Sequence, residues 1–225
     1  MDCKNICTCA LVGAADFCPE TFLARHYDRT IAVDGGYAHM KACGVTPDLA
    51  LGDFDSLGFV PQDVPHETFP VAKDASDLAL ALRRAREMGA THIDVYGALG
   101  GRPDHTYATY QALRHASEAG AVVRAFAGEG GIVILTAQDA PCTWQMPDVA
   151  DETFSVFAMS DTCEHVSIEG FRYELHDGTM TADTPLGLSN VTIDTSGTIS
   201  VGRGTLIVFL PEGLMRALTV PSPEA

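Results

Sequence analysis

Two carboxylates flank a phenylalanine in the run Gly52-Asp53-Phe54-Asp55-Ser56. In an extended segment, side chains two apart share a face, so Asp53 and Asp55 can converge on one hard cation. A second acidic run, Lys73-Asp74-Ala75-Ser76-Asp77, opens a helical pattern. Asp74 and Asp77 are three apart, hence neighbours on a first turn, and Ser76 adds a hydroxyl. Acidic residues at that position also answer the helix dipole and cap the helix, which is sufficient reason for Asp74. The third cluster is Gly97-Ala98-Leu99-Gly100-Gly101-Arg102-Pro103-Asp104-His105. Its glycines admit a phosphate, Arg102 can fork onto phosphate oxygens, Pro103 suits a first helical position and Asp104 reaches toward a metal. The fourth is Asp34-Gly35-Gly36, where a glycine pair either presents N–H groups to an anion or makes a plain strand-to-helix turn.

Carboxylates from several loops at one sheet edge repel one another unless cations sit between them, and the same loops offer Arg and Gly to phosphate. Magnesium bridging a polyphosphate answers both facts. The glycine-rich run is neither G-x-x-x-x-G-K-[ST] nor G-x-G-x-x-G, so a nucleotide site here is of another class.

The elements that must hold these clusters alternate between short apolar runs and longer amphipathic ones, from residue 8 to about 135. Strands are expected at Cys9 to Gly13, Thr30 to Val33, Leu49 to Leu51, His66 to Phe69, His92 to Tyr96, Val122 to Phe126 and Ile132 to Leu135. The clearest helix is Asp74 to Met88, with Leu78, Leu82 and Ala85 at helical spacing, Arg83, Arg84 and Arg86 late, and Gly89 beyond. A second runs from Pro103 to Glu118. Each acidic or glycine cluster falls where a strand ends or a helix begins, and an open α/β sheet binds ligands outside its strands' carboxyl ends. Beyond about residue 140 the runs shorten, Thr, Val, Ile, Ser and Gly dominate, and turn signals such as His176-Asp177-Gly178 recur. The expected class is α/β: a Rossmann-like α/β domain over 1–140, then an all-β sandwich over 141–225, joined in the Pro-containing stretch at 137–150.

The chain has 225 residues and a net charge of −16. That field repels phosphate backbones and anionic lipid, disfavouring nucleic-acid and membrane-surface partners, and leaves phosphate chemistry dependent on divalent cations. The first apolar stretch, Ala10 to Ala15, is too short for a signal segment and no run approaches a membrane span, so a cytoplasmic location is expected. Seven cysteines without a C-x-x-C pair imply free thiols. Cys3, Cys7 and Cys9 lack a fourth ligand at zinc spacing.

The ordered set DGG (34 to 36), GDFDS (52 to 56), KDASD (73 to 77), GGRPDH (100 to 105) and GLSN (187 to 190) resembles the thiamine pyrophosphokinase family over nearly the full chain. The resemblance implies transfer of the pyrophosphoryl group of ATP to the hydroxyl of thiamine, giving thiamine diphosphate and AMP. It implies a homodimer with active sites between subunits. By position it implies Asp53, Asp55, Asp77 and Asp104 as the magnesium ligands. ATP would meet Asp34, Gly35, Gly36, Lys73, Asp74, Ser76, Gly100, Gly101, Arg102 and His105. Catalysis would fall to Asp55, Asp104 and Arg102, and the thiamine ring to Ser189 and Asn190. Phe54, Pro103 and Ser76 depart from the usual pattern but keep the charged and hydroxyl groups around them.

Two other readings use parts of this set. LALGDFDS also resembles the strand and D-x-D of an aspartyl-nucleophile phosphohydrolase, but Ser56 follows the second Asp, and GGRPDH and GLSN have no role there. A nucleotide-binding module without turnover is the non-enzymatic alternative, although every charged member of the set is present.

Overall fold

A computed structural model describes residues 6–70, 74–194 and 196–218. They divide into two compact units, one holding residues up to 116 with 123–128, the other holding 117–122 with 129–218. The division after Gly128 comes earlier than the expected compositional boundary, because the strand beginning at Gly130 pairs antiparallel along its full length with Gly204–Pro211.

The first unit alternates strand and helix: β1 (Thr8–Val12), α1 (Pro19–Leu23), β2 (Arg29–Val33), α2 (Gly36–Ala42), β3 (Leu49–Gly52), β4 (His66–Thr68), α3 (Asp77–Glu87), β5 (His92–Tyr96), α4 (Pro103–Glu118) and β6 (Val122–Ala127). Its strands lie in the order β6-β5-β1-β2-β3-β4, with β1 to β5 parallel. Every residue of β1 is buried, as a central parallel strand covered on both faces requires. α3 begins at Asp77 rather than Asp74, because Ser76 takes the N-cap and its Oγ accepts from the Ala79 N–H at 3.2 Å. Its apolar stripe of Leu80, Ala81, Leu82 and Ala85 is buried. α4 starts at Pro103, whose missing N–H is one a first turn leaves unsatisfied.

The second unit is a sandwich of two antiparallel sheets, as its texture predicts. Its elements are β7 (Gly130–Ala137), β8 (Cys142–Gln145), β9 (Thr153–Ala158), β10 (Thr162–Glu169), β11 (Leu175–Thr181), β12 (Gly187–Val191), β13 (Thr198–Val201), β14 (Gly204–Pro211) and α5 (Glu212–Ala217). One sheet runs β12-β9-β14-β7 and the other β11-β10-β13-β8. They meet through β10 and β13 against β14 and β7, over a core that includes Val166, Ile199, Val201, Leu206 and Val208.

Among the described residues the cysteines are free, and no helix is long and apolar enough to cross a membrane. Cys9 is fully buried and burial pushes its thiol up to about 12; Cys3 lies outside the described residues.

Candidate active site

The order of the parallel strands reverses at β1, which pairs with β2 on one side and β5 on the other. A cleft of about 580 Å³ opens there, beyond the carboxyl ends of β1, β2, β3 and β5. Two backbones cross at its floor. The Gly13 N–H donates to the Tyr96 carbonyl and the Ala15 N–H to the Gly97 carbonyl, both at 2.8 Å. A Cβ on Gly13 would stand 2.5 Å from the Gly97 carbonyl oxygen, and one on Gly97, at φ +61, would stand 2.5 Å from that of Gly13. Only glycine fits either position. Gly13-Ala14-Ala15 all line the cleft but carry no distinct sequence signal, because one glycine after a strand looks like any turn.

On the acidic side, Asp34, Ser76 and Asp77 line the cleft. Asp34 closes β2 in the left-handed region at φ +48, with its N–H on the Leu51 carbonyl at 2.9 Å and its Oδ1 accepting from the Phe54 N–H at 3.2 Å. Burial, then the charge of Asp77, push its carboxyl up to about 6, and Asp53 adds to the push. Gly35 and Gly36 do not line the cleft. Gly36 packs against β1, where a Cβ would fall 1.8 Å from the Val12 carbonyl oxygen, so the close-turn reading accounts for it.

Asp53 and Asp55 do not stand on the extended segment that was expected to bring their side chains to one face. Phe54 is buried at φ +59, which breaks the alternation, and the Asp55 N–H folds back onto Asp53 Oδ1 at 3.1 Å. Neither lines the cleft, although the next residue, Ser56, does. Asp74 is exposed, ahead of α3 and off the cleft; Lys73 lies outside the described residues.

Opposite the acidic side, Gly100, Gly101, Arg102 and His105 line the cleft as expected. Asp104 does not. Its carboxylate takes Arg102 Nε at 3.1 Å and Nη2 at 2.6 Å, and this fork holds the Asp104 carboxyl below its usual range. Among the described residues no three His, Cys, Asp or Glu side chains stand ready to enclose a metal ion. The donors at hand are hard carboxylate oxygens, and magnesium is commonly held by one or two of these plus substrate phosphates, so the set fits that cation without a preformed cage.

The second unit carries Ser189 and Asn190 on β12. Ser189 stands at φ +58 with its N–H on Ser155 Oγ at 3.1 Å. Asn190 is buried and occupied: its Oδ1 accepts from the Tyr173 and Val191 N–H groups, and its Nδ2 donates to the Tyr173 carbonyl at 2.7 Å. Asn190 therefore clamps the backbone of Tyr173, a residue 62% exposed. Tyr173 had no signal in the sequence, since its link to Asn190 is made by folding.

Comparison with known proteins follows the same division. The model for thiamin pyrophosphokinase, catalytic domain, matches residues 22–124, and that for thiamin pyrophosphokinase, vitamin B1 binding domain, matches residues 145–206. The thiamine pyrophosphokinase of Bacillus subtilis (strain 168) is 28% identical over 185 residues, covering 80% of this chain and 85% of the relative. A crystal structure of thiamine pyrophosphokinase from Bacillus subtilis is similar at a TM-score of 0.78 and 26% identity, over 91% of this chain and 98% of that one. One of thiamin pyrophosphokinase from Geobacillus thermodenitrificans gives 0.75 and 25%, over 91% and 97%. With the catalytic-domain model lying on the unit that holds the cleft and the vitamin-binding model on the unit that holds Ser189, this chain belongs to the thiamin pyrophosphokinase family.

Proposed function

We propose that this chain transfers the pyrophosphoryl group of ATP to the hydroxyl of thiamine, releasing thiamine diphosphate and AMP. The observation that carries the reading is one cleft with carboxylates of Asp34 and Asp77 on one side and the glycine loop, Arg102 and His105 on the other. Such a cleft suits a phosphate chain accompanied by a cation, and suits neither partner alone.

Asp34, Asp53 and Asp77 would hold magnesium together with the phosphates, with Asp55 on the same turn as Asp53. Bound there, the cation offsets the charge that builds on the phosphoryl oxygens. Arg102 leaves Asp104 and forks onto the phosphate chain, beside His105. The thiamine hydroxyl attacks the β-phosphorus, a new O–P bond forms, and the bond to the α,β-bridging oxygen breaks with its electron pair leaving on AMP. The hydroxyl proton passes to a carboxylate, Asp55 or the released Asp104. Tyr173 presents an aromatic face to the cationic thiamine ring beside Ser189, while Asn190 holds that face in place. We read the exposed Tyr173, Leu186 and Leu188 as a surface covered in a homodimer with active sites between subunits. The need for ATP and the free thiols favour the cytoplasm.

The test is incubation with ATP, magnesium and thiamine, with AMP and thiamine diphosphate quantified by chromatography. Equal amounts of both, abolished by EDTA, are expected. Phosphate or ADP without thiamine diphosphate would reject the reaction and favour a phosphohydrolase.

A further inference from the structure

Two threonines of α4 reach back into the glycine loop. Thr109, buried and lining the cleft, donates its hydroxyl to the Ala98 carbonyl at 3.0 Å. Thr106, three residues before it and so on the same helix face, donates to the Gly100 carbonyl at 3.2 Å and the Arg102 carbonyl at 3.3 Å. The Arg102 bond is the ordinary return of a helical threonine to the residue four back. The bonds to Ala98 and Gly100 are not, since both acceptors precede the helix.

A trans peptide points its N–H opposite its carbonyl. Drawing the Ala98 and Gly100 carbonyls onto α4 therefore turns the N–H groups of Leu99 and Gly101 away from it. Among the described residues neither N–H has an acceptor. Gly97, Gly100 and Gly101 all have positive φ and line the cleft, and successive backbone N–H groups in turns of this kind can form an anion-binding concavity. We infer that Thr106 and Thr109 are positioning residues that orient the Leu99 and Gly101 N–H groups to receive the phosphate chain. This rests on the reading of the cleft as an ATP site and adds to it the device that fixes the loop. It also places the selectivity of the pair in the phosphates: a probe without a base should feel their loss as ATP does.

The experiment is titration calorimetry of ATP with magnesium, and of inorganic tripolyphosphate with magnesium, on wild type, Thr109→Val, Thr109→Ser and Thr106→Val, with steady-state kinetics in parallel. Thr109→Val keeps the branched shape and removes the donor. It should weaken both ligands by about three- to tenfold, as expected for one lost hydrogen bond. KM for ATP should rise to match while KM for thiamine stays within about twofold, a split that general loosening of the fold would not produce. Thr109→Ser, which keeps the hydroxyl, should return both affinities to wild type. Wild-type affinity in Thr109→Val, or equal rises in both KM values, would overturn the inference and leave the cleft reading standing. Should Thr109→Val fail to fold, the partly exposed Thr106→Val carries the same prediction for the Gly100 carbonyl. A wild-type protein that binds neither ATP nor tripolyphosphate would overturn the cleft reading together with this one.

Discussion

Arg102 grips its own neighbour Asp104 through two hydrogen bonds, across Pro103 and at the mouth of the cleft. Both side chains are mostly exposed, so the pair is easily traded for a better anion. Asp104→Asn should therefore tighten tripolyphosphate binding in EDTA by about two- to fivefold, the range for an exposed ion pair. Calorimetry reads this directly, and an unchanged affinity would remove Asp104 as the resting partner of Arg102. Arg102→Gln should lower kcat/KM for ATP by about ten- to a hundredfold, as for a charged hydrogen bond.

Proton removal from the attacking hydroxyl falls to Asp55 or Asp104 in the proposed reaction. Each Asp→Asn variant should be assayed for turnover at saturating ATP, magnesium and thiamine. A loss of about 10²- to 10⁴-fold marks the base. Near-wild-type turnover in both would take these residues out of the mechanism.

The crowding of Asp34 by Asp77 and Asp53 makes a prediction about the metal-free protein. Asn tolerates the left-handed backbone of position 34 and still accepts from the Phe54 N–H. Asp34→Asn should raise the melting temperature in EDTA by about 2–4 °C, the shift for ~1 kcal/mol in a chain of this size. It should also demand more magnesium for half-maximal activity. A lower melting temperature would mean that the carboxylates do not oppose one another in the folded state.

The strands β5 and β6 bury a charged pair, Asp94 and Arg124. Arg124 donates Nε to Asp94 Oδ1 at 2.6 Å and Nη2 to Oδ2 at 2.7 Å, and the Tyr27 hydroxyl donates to Asp94 Oδ2 at 2.7 Å. With Asp94 2% and Arg124 10% exposed, Asp94→Ala should cost about 3–5 kcal/mol in urea unfolding, because it strands a buried guanidinium. Asp94→Leu combined with Arg124→Met should cost less than Asp94→Ala alone.

Acid stability depends in part on Asp28, whose Oδ2 accepts from the Thr8 N–H at 2.8 Å and the Thr8 hydroxyl at 3.0 Å. These bonds, the backbone one first, hold its carboxyl below the ordinary value. A lowered folded value means that the contribution is complete above about pH 4, the unfolded value, and disappears as pH falls through the folded one. Asp28→Asn should therefore lose less of its urea midpoint than wild type between pH 6 and pH 3. Parallel curves for the two proteins would rule the contact out as an acid-sensitive one.

Elements written in local pattern were legible before folding. His92–Tyr96 and Pro103–Glu118 fall where apolar spacing and an initial proline put them, and the β-rich texture after residue 140 becomes a sandwich. What misled or escaped reading depends on backbone angles or on distant partners. The positive φ of Phe54 overturns the alternation that would have joined Asp53 to Asp55. Gly13 matters only because Gly97 crosses it, and Asn190 became a clamp only when Tyr173 came to lie against it. The pairing of Asp94 with Arg124 is equally silent, since neither residue says which strand will lie beside it.

The central place of β1 also sets an order of events on the ribosome. Val12 can pair with Ala32 soon after both emerge, but its other neighbour, Tyr96, is made much later. At roughly 5–20 residues per second, one edge of this fully buried strand waits several seconds for β5. During that wait the nascent chain displays an open strand edge, the kind of surface that recruits other chains and the chaperones that shield them. The crossing of Gly13 and Gly97 can thus form only once β5 is made, and slow translation between residues 33 and 91 would lengthen the exposure while faster translation would shorten it.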